Sequence, residues 1–270
     1  MEITKIHPDP IIIREYWIQF LKYKSLVWIF AWQEIKTQYA QTYFGVFWAV
    51  LRPVIILSIF TVLFSYLLKI HTASPYILFA FTGMIAWNLF SQIAATASSA
   101  ISLRQDLIRK MYFPKIILPL SKALVAGVDT FVSLIMFFVL AALVRFPLSW
   151  HIFLFPFFLF LNICLGLSIA IWMYVLTIRY RDLQQIVMPI ISIGIWFTPV
   201  FFPTTIIPEQ YHFLLYFNPM AGIIAGFRYA LLGEAFPDFY YWISFFVVIA
   251  ITGLAIWSLI RVEDEIVDCS

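Results

Sequence analysis

Charge is what this chain has least of. Asp, Glu, Lys and Arg make up 11% of its 270 residues, where a soluble domain carries about 25%. That excludes a water-soluble globular fold for the chain as a whole. Cysteine is nearly missing as well. Cys164 sits in an apolar run and Cys269 at the C-terminus, so no disulfide framework is expected. No GxxxxGK[ST] stretch occurs, which excludes that mode of binding ATP in this chain. No HExxH occurs, and no aspartate-rich pair that could hold magnesium on a sugar donor. His71, His151 and His212 are scattered without the spacing of a metal site. The expectation is no catalytic residue, no metal and no cofactor within this chain.

What is present is apolar. The hydrophobic share is 63% and the aromatic share 20%, and several uninterrupted runs reach the roughly 20 residues that cross a bilayer. The composition predicts an all-α integral membrane protein. Its runs place six transmembrane helices at about 45–68, 76–98, 116–144, 151–178, 183–202 and 239–260. Ahead of them, 14–41 mixes Trp17, Phe20, Leu21, Trp28, Ile29 and Trp32 with Lys22, Lys24, Glu34 and Lys36. That pattern predicts an amphipathic helix lying in the membrane interface. The first residues show no cleavable signal, because Lys5, Asp9, Arg14 and Glu15 interrupt any apolar core there.

Residues 203–238 read differently. Pro203, Pro208, Pro219 and Pro237 break them up, and Asn218-Pro219 divides two apolar pieces, HFLLYF and MAGIIAGFRYALLG. Each piece is too short to span, so an external re-entrant helical hairpin between the fifth and sixth spans is expected. The chain then divides into three parts. Residues 1–44 form the cytoplasmic N-terminus and interfacial helix. Residues 45–261 form the six-span domain, with a cytoplasmic loop at 101–115. Residues 262–270 form an acidic cytoplasmic tail.

Orientation follows from the basic residues. The stretch RQDLIRKMYFPK, 104–115, holds four of them against one acid, and short basic loops stay on the cytoplasmic side. With that loop inside, every Lys and Arg except Lys69, Arg145 and Arg228 falls at or near the inner face. Both termini are therefore expected in the cytoplasm, in a multi-pass inner-membrane protein.

The interior of the membrane is poor in ionisable groups. Asp129, some 21 Å along its helix from Lys115 at 1.5 Å per residue, is the deep one. It is a functional candidate, with a structural hydrogen bond to a neighbouring span as the other reading. An ion-coupled carrier would need more such groups or broken helices at mid-depth. A membrane enzyme acting on polyprenyl substrates would need a carboxylate or histidine cluster. A pure scaffold would leave the interrupted hairpin unexplained. Any passage would then be neutral and aromatic, with an ion-coupled lipid or solute transporter dependent on Asp129 as the alternative, and aromatic faces suit the C–H edges of sugar rings. The candidate faces are Tyr39, Tyr43, Phe44 and Trp48 at the inner mouth, then Trp87, Phe90, Trp196 and Phe197. For any one of these, core packing or lipid contact is the alternative.

Five stretches resemble a known family: WQEIKTQYAQTYFGVFWAVLRP at 32–53, RKMYFPKIILPLS at 109–121, Val128-Asp129, RYRDL at 179–183 and NPMAGIIAGFRYALLG at 218–233. They are similar to the permease subunits of ABC-type polysaccharide exporters, the Wzm-like O-antigen permeases and their teichoic-acid relatives. Gln33-Glu34 stands where that family commonly has Arg-Asp. The resemblance implies a homodimer seated on two copies of a separate nucleotide-binding ATPase subunit, which would bind the ATP and magnesium. It implies ATPase coupling through Trp32, Glu34, Arg104, Asp106, Arg109, Lys110 and Lys115. The cargo it implies is undecaprenyl-diphosphate-linked polysaccharide, O-antigen first and teichoic acid or capsule as alternatives. On that reading Lys36 and Arg52 would receive the diphosphate, and Asn218, Arg228 and Glu234 would close the external mouth. Membrane lipids are the other partner, and no nucleic acid is expected.

Overall fold

In a bilayer every backbone N–H and C=O must be paired within the chain, which leaves helices or closed barrels. Runs this long and this apolar form helices. The computed structural model describes residues 13–40, 47–70, 72–103, 114, 116–179, 182–236 and 239–268. Among them there is no strand.

Nine α-helices follow one another in the described residues. Helix α1 is Ile13–Ala40 and α2 is Phe47–Phe60, continued by a π-helix at Thr61–Leu67. Helix α3 is Tyr76–Leu103, α4 is Ile117–Leu143 and α5 is Phe155–Arg179, entered through a 3₁₀ turn at Trp150–Leu154. Helix α6, Leu183–Gly194, runs into a 3₁₀ turn at Ile195–Phe197. Two short helices follow, α7 at His212–Phe217 and α8 at Pro219–Leu232, and α9, Tyr241–Asp268, ends the series.

Among the described residues, four stretches are long and apolar enough to cross a membrane: Tyr76–Ala95, Ile117–Leu143, Trp150–Leu176 and Tyr241–Leu259. Three shorter apolar helices, Pro53–Leu67, Gln185–Phe197 and Pro219–Leu232, accompany them. The stretch at 183–202, expected as one unbroken span, is helical only as far as Phe197. Pro189 lies inside α6 and removes one ladder hydrogen bond. Helix α9, at the expected sixth span, runs beyond 260, since the acidic residues past 262 continue it to Asp268.

Helix α3 is the axis of the bundle. Of its spanning stretch 78% is buried, against 22–39% for the other three. Leu78, Phe81, Ile85, Leu89 and Ile93 are almost wholly enclosed. Asn162 on α5 is buried and donates from Nδ2 to the Ala86 carbonyl of α3 at 2.8 Å. Ser168 on α5 donates to Thr252 on α9 at 3.0 Å. Other hydroxyls bond back one turn within their own helix, as Thr82 does to Leu78 and Thr130 to Ala126. Each such bond hides a polar group that lipid could not satisfy.

The helix ends fall into two groups. Helix α1 lies across one end of the bundle. Its Phe20, Tyr23, Val27 and Phe30 pack on Ile117 and Leu118 of α4, Tyr174 of α5 and Leu259 of α9. Its opposite face exposes Ile18, Leu21, Trp28, Ile29 and Trp32. At the far end lie the turns that precede α3, the 3₁₀ turn before α5, and the short helices α7 and α8. Lys69 and Arg145 take left-handed backbone angles there, at φ 51° and 56°.

Helix α8 is set by its own residues. Asn218 caps it by accepting the Met220 N–H at 3.0 Å, and Pro219 takes the first turn, where no donor is needed. Gly233 closes it at φ 65° with its N–H on the Tyr229 carbonyl, a conformation that costs a side chain dearly. Gly222 and Gly226 lie one turn apart on the face turned to the bundle. A Cβ on Gly222 would meet Ser244 of α9 at 2.4 Å, and one on Gly226 would meet the Phe158 ring of α5 at 2.2 Å. The glycines let α8 sit directly against both spans, as small residues do in membrane packing.

Candidate functional site

Among the described residues, two places gather polar side chains. At the end that carries α1, Glu34 pairs with Lys122 of α4. Both are half-buried, so the pair replaces water that neither group reaches fully. Lys122 would otherwise have to bend toward the interface to solvate its charge. The pairing joins residues 88 apart in sequence and fastens α1 to the start of a spanning helix. Beside it Trp28 and Trp32 stack at 6.2 Å between ring centres, both exposed.

The second place lies at the opposite end, where the chain leaving α6 is held by three side chains. Asn218 donates from Nδ2 to the Thr198 hydroxyl at 2.9 Å. Arg228 donates from Nη2 to the Val200 carbonyl at 2.8 Å. The Tyr76 hydroxyl donates to the Phe201 carbonyl at 2.9 Å. Thr198, Val200 and Phe201 are buried, and the bonds to the Val200 and Phe201 carbonyls satisfy backbone that no helix pairs. Gly83 makes the approach possible, because a Cβ there would meet the Val200 oxygen at 2.6 Å.

Arg228 is the centre of this cap. It is 4% exposed, and its guanidinium carbon lies 3.4 Å from the centre of the Phe79 ring. A cation over an aromatic face is stabilised by the ring's negative surface, more so away from water. Burial pulls its proton affinity below the usual arginine value, and the Glu234 carboxylate pulls it back. The group stays charged at neutral pH. Glu234 accepts the Ser74 hydroxyl at 2.8 Å, which ties the chain after α8 to the turn before α3.

An aromatic series borders the same end. Phe60 stacks on Phe201 at 3.6 Å and meets Trp196 at 6.0 Å. Phe64 stacks on Tyr76 at 6.1 Å. Trp196 and Phe197 are 60% and 74% exposed, whereas Trp87 and Phe90 are 6% and 9% exposed. The latter two touch each other at 5.5 Å inside the core, and Trp87 also lies against Gly194. The structure therefore brings Trp196 to the surface beside α2 and keeps Trp87 and Phe90 within the packed interior.

Lys36 and Trp32 stand on the exposed part of α1. Tyr39, Trp48 and Arg52 fall on described helices, with side chains outside the described ones. Tyr43, Phe44, Arg104, Asp106, Arg109, Lys110 and Lys115 lie outside the described residues, as do His71 and Cys269. Asp129 is half-buried on α4, and its carbonyl accepts the Ser133 hydroxyl at 2.8 Å. Among the described residues no group of three or more His, Cys, Asp or Glu side chains could hold a metal ion. Sequence reasoning missed Tyr76, Ser74, Gly83 and Thr198 in the cap. Nothing local marks them, since each acts on backbone or side chains far along the chain.

The family of ABC-2 type transporters matches residues 25–232. The O-antigen export system permease protein RfbA of Myxococcus xanthus is 26% identical over 82% of this chain and 85% of its own length. A protein of the same description from Klebsiella pneumoniae is 24% identical over 85% of this chain and 89% of its own. The polysialic acid transport protein KpsM of Escherichia coli is 25% identical over 74% of this chain and 78% of its own.

Proposed function

The chain belongs to the ABC-2 type transporter family, and from that premise we propose that it is the membrane permease of an ATP-driven polysaccharide exporter. The observation that carries this reading is the likeness to O-antigen and polysialic acid transporters along most of both chains. The cargo is a polysaccharide on an undecaprenyl-diphosphate carrier, with O-antigen ahead of teichoic acid or capsule. It moves from the cytoplasm across the inner membrane. An ATPase subunit on a separate chain binds ATP and magnesium and does the hydrolysis.

In this reading the chain crosses the membrane six times with both termini in the cytoplasm. The four long apolar helices supply four crossings, α2 with its π-helical continuation to Leu67 supplies a fifth, and Leu183–Phe197 with the buried chain through Thr198, Val200 and Phe201 supplies the sixth. Helices α7 and α8 then form the external re-entrant hairpin. Two copies of the chain enclose the passage. The distribution of Lys and Arg supports this orientation, as does the grouping of helix ends, with α1 opposite the hairpin.

The ATPase subunits press on the inner end. Trp32 and Glu34 of α1 and the loop residues Arg104, Asp106, Arg109, Lys110 and Lys115 receive that movement. Glu34 is suited to pass it on, because its ion pair joins α1 to α4. Lys36 and Arg52 attract the diphosphate by charge. The glycan then slides along Tyr39, Tyr43, Phe44 and Trp48 and past Trp196 and Phe197 at the far end. Trp87 and Phe90 back that passage from within the core. Asn218, Arg228 and Glu234 hold the outer mouth closed at rest.

The test is the triple replacement of Tyr39, Tyr43 and Trp48 by alanine. Each aromatic face of this kind contributes on the order of 1 kcal/mol. Losing three should cut export by at least about a hundredfold, while dimer and ATPase assembly persist. Lipid-linked glycan should accumulate on the cytoplasmic face, read by its accessibility to a glycosidase in inside-out vesicles. Export at the parental rate in the triple variant would refute the aromatic passage.

A further inference from the structure

At the outer end, inside a single chain, lies a cavity of about 300 Å³ bordered by Arg228, Glu234, His212, Thr204, Thr205 and the Phe236 ring. Its charges are arranged unusually. Arg228 and Glu234 carry opposite charges and line the same space, yet no ion pair between them occurs among the described residues. Arg228 spends one donor on the Val200 carbonyl. Glu234 spends Oε1 on the Ser74 hydroxyl. Two opposite charges held apart around a polar space, each only partly satisfied, mark a place where a third party can supply the missing hydrogen bonds.

The chemistry narrows that third party. An anion alone would be repelled by Glu234, and a cation alone by Arg228. A neutral polyhydroxyl ligand satisfies both, since one hydroxyl can donate to the carboxylate while a neighbouring one accepts from the guanidinium. Thr204 and Thr205 add hydroxyls that donate or accept as required. Phe236 is 44% exposed and offers an apolar face for ring C–H groups. The volume is at the low end of small-molecule sites, about 300–1,000 Å³, which suits one sugar ring and not an oligosaccharide.

We propose that this cavity is a carbohydrate subsite that binds one neutral glycosyl residue at the outer end of each chain. Its lining comes from one copy of the chain. The proposal rests on the polysaccharide-export reading for the source of its ligand. A residue held here occupies the Arg228–Glu234 cap, so binding at this subsite links the presence of glycan to the state of the outer mouth.

The experiment is saturation-transfer NMR on the full chain in nanodiscs. The probes are methyl glucoside, methyl mannoside and methyl N-acetylglucosaminide as neutral glycosides. Methyl glucuronide and glycerophosphoethanolamine serve as an anionic sugar and a zwitterionic lipid headgroup. Glu234→Gln keeps an acceptor for Ser74 and removes the charge, and Thr205→Val alters an exposed position. A neutral glycoside should bind, and Glu234→Gln should weaken it about tenfold, the usual effect of losing a charged hydrogen bond. Thr205→Val should weaken it severalfold with an unchanged melting temperature, while Glu234→Gln stays folded and melts somewhat lower because Arg228 loses a counter-charge. Binding of no neutral glycoside, binding equal in both variants, or binding of glycerophosphoethanolamine in their place would overturn the proposal. Export assayed in parallel keeps the two readings separate. Intact ATP-driven export without glycoside binding rejects the subsite alone, and glycoside binding without polysaccharide export rejects the transport reading alone.

Discussion

Gly226→Val is expected to lower the melting temperature of the purified protein by roughly 10 °C, and to abolish export. Even the first atom of a side chain at 226 would sit 2.2 Å from Cδ1 and 2.8 Å from Cγ of Phe158. The ring cannot simply swing aside. Phe158 is 3% exposed, and its neighbours Phe157 and Tyr241 meet it edge-on at 5.3 and 6.3 Å. Overpacking at one methylene usually costs about 1–3 kcal/mol, and valine adds more than one carbon. At about 2–4 °C per kcal/mol for a chain of this size, the shift is readily measured. The functional loss follows from geometry, because Arg228 lies half a turn beyond Gly226. Moving α8 off α5 takes Arg228 away from the Val200 carbonyl and opens the cap. Phe158→Leu combined with Gly226→Ala should recover part of the melting temperature. A Gly226→Val protein that melts like the parent would show that α8 does not sit against α5.

The second large effect is expected at the other end of the bundle. Lys122→Met leaves Glu34 half-buried without its cation, and the second carboxylate oxygen, Oε2, is already without a hydrogen-bond partner. Breaking one side of a buried pair costs about 3–5 kcal/mol. With 14% and 24% of these side chains exposed, solvent reduces that to about 1–3 kcal/mol. Glu34→Gln alone should cost less, since the amide keeps an acceptor for the ammonium. The exchanged pair, Glu34→Lys with Lys122→Glu, should regain stability relative to either single exchange. Thermal melts of the four proteins give the coupling directly. ATP-driven export should fall in Lys122→Met by more than the loss of folded protein explains, because α1 then moves without pulling α4. A coupling energy near zero, with export proportional to folded protein, would contradict this role of the pair.

Much of this architecture is legible in the chain itself. The apolar runs at 76–98, 116–144 and 151–178 announce long helices by length alone. Asn218-Pro219 and the glycine after Leu232 mark both ends of α8, because capping needs those residue types. The packing role of Gly222 and Gly226 emerges only from their contacts with Ser244 and Phe158. What stays hidden is long-range pairing. Tyr76 meets Phe201 across 125 residues and Lys122 meets Glu34 across 88, and neither has a local signature. Aromatic position is hidden for a different reason. In helices apolar on every side, periodicity cannot tell buried Trp87 from exposed Trp196. The shortened helix at Leu183–Gly194 is a third case, where the 3₁₀ turn at 195–197 ends a run that hydropathy alone would extend.

Reconstitution in sealed vesicles is the most direct measurement. The chain is incorporated with its nucleotide-binding subunit and lipid-linked polysaccharide on one side, and glycan reaching the other side is counted. The expected result is transfer that requires ATP, stops when the ATPase subunit is omitted or made unable to hydrolyse, and ignores imposed ion gradients. Transfer by the chain alone under a proton or sodium gradient, or nucleotide hydrolysis by the chain alone, would contradict the reading of this protein as a conduit driven by a separate ATPase.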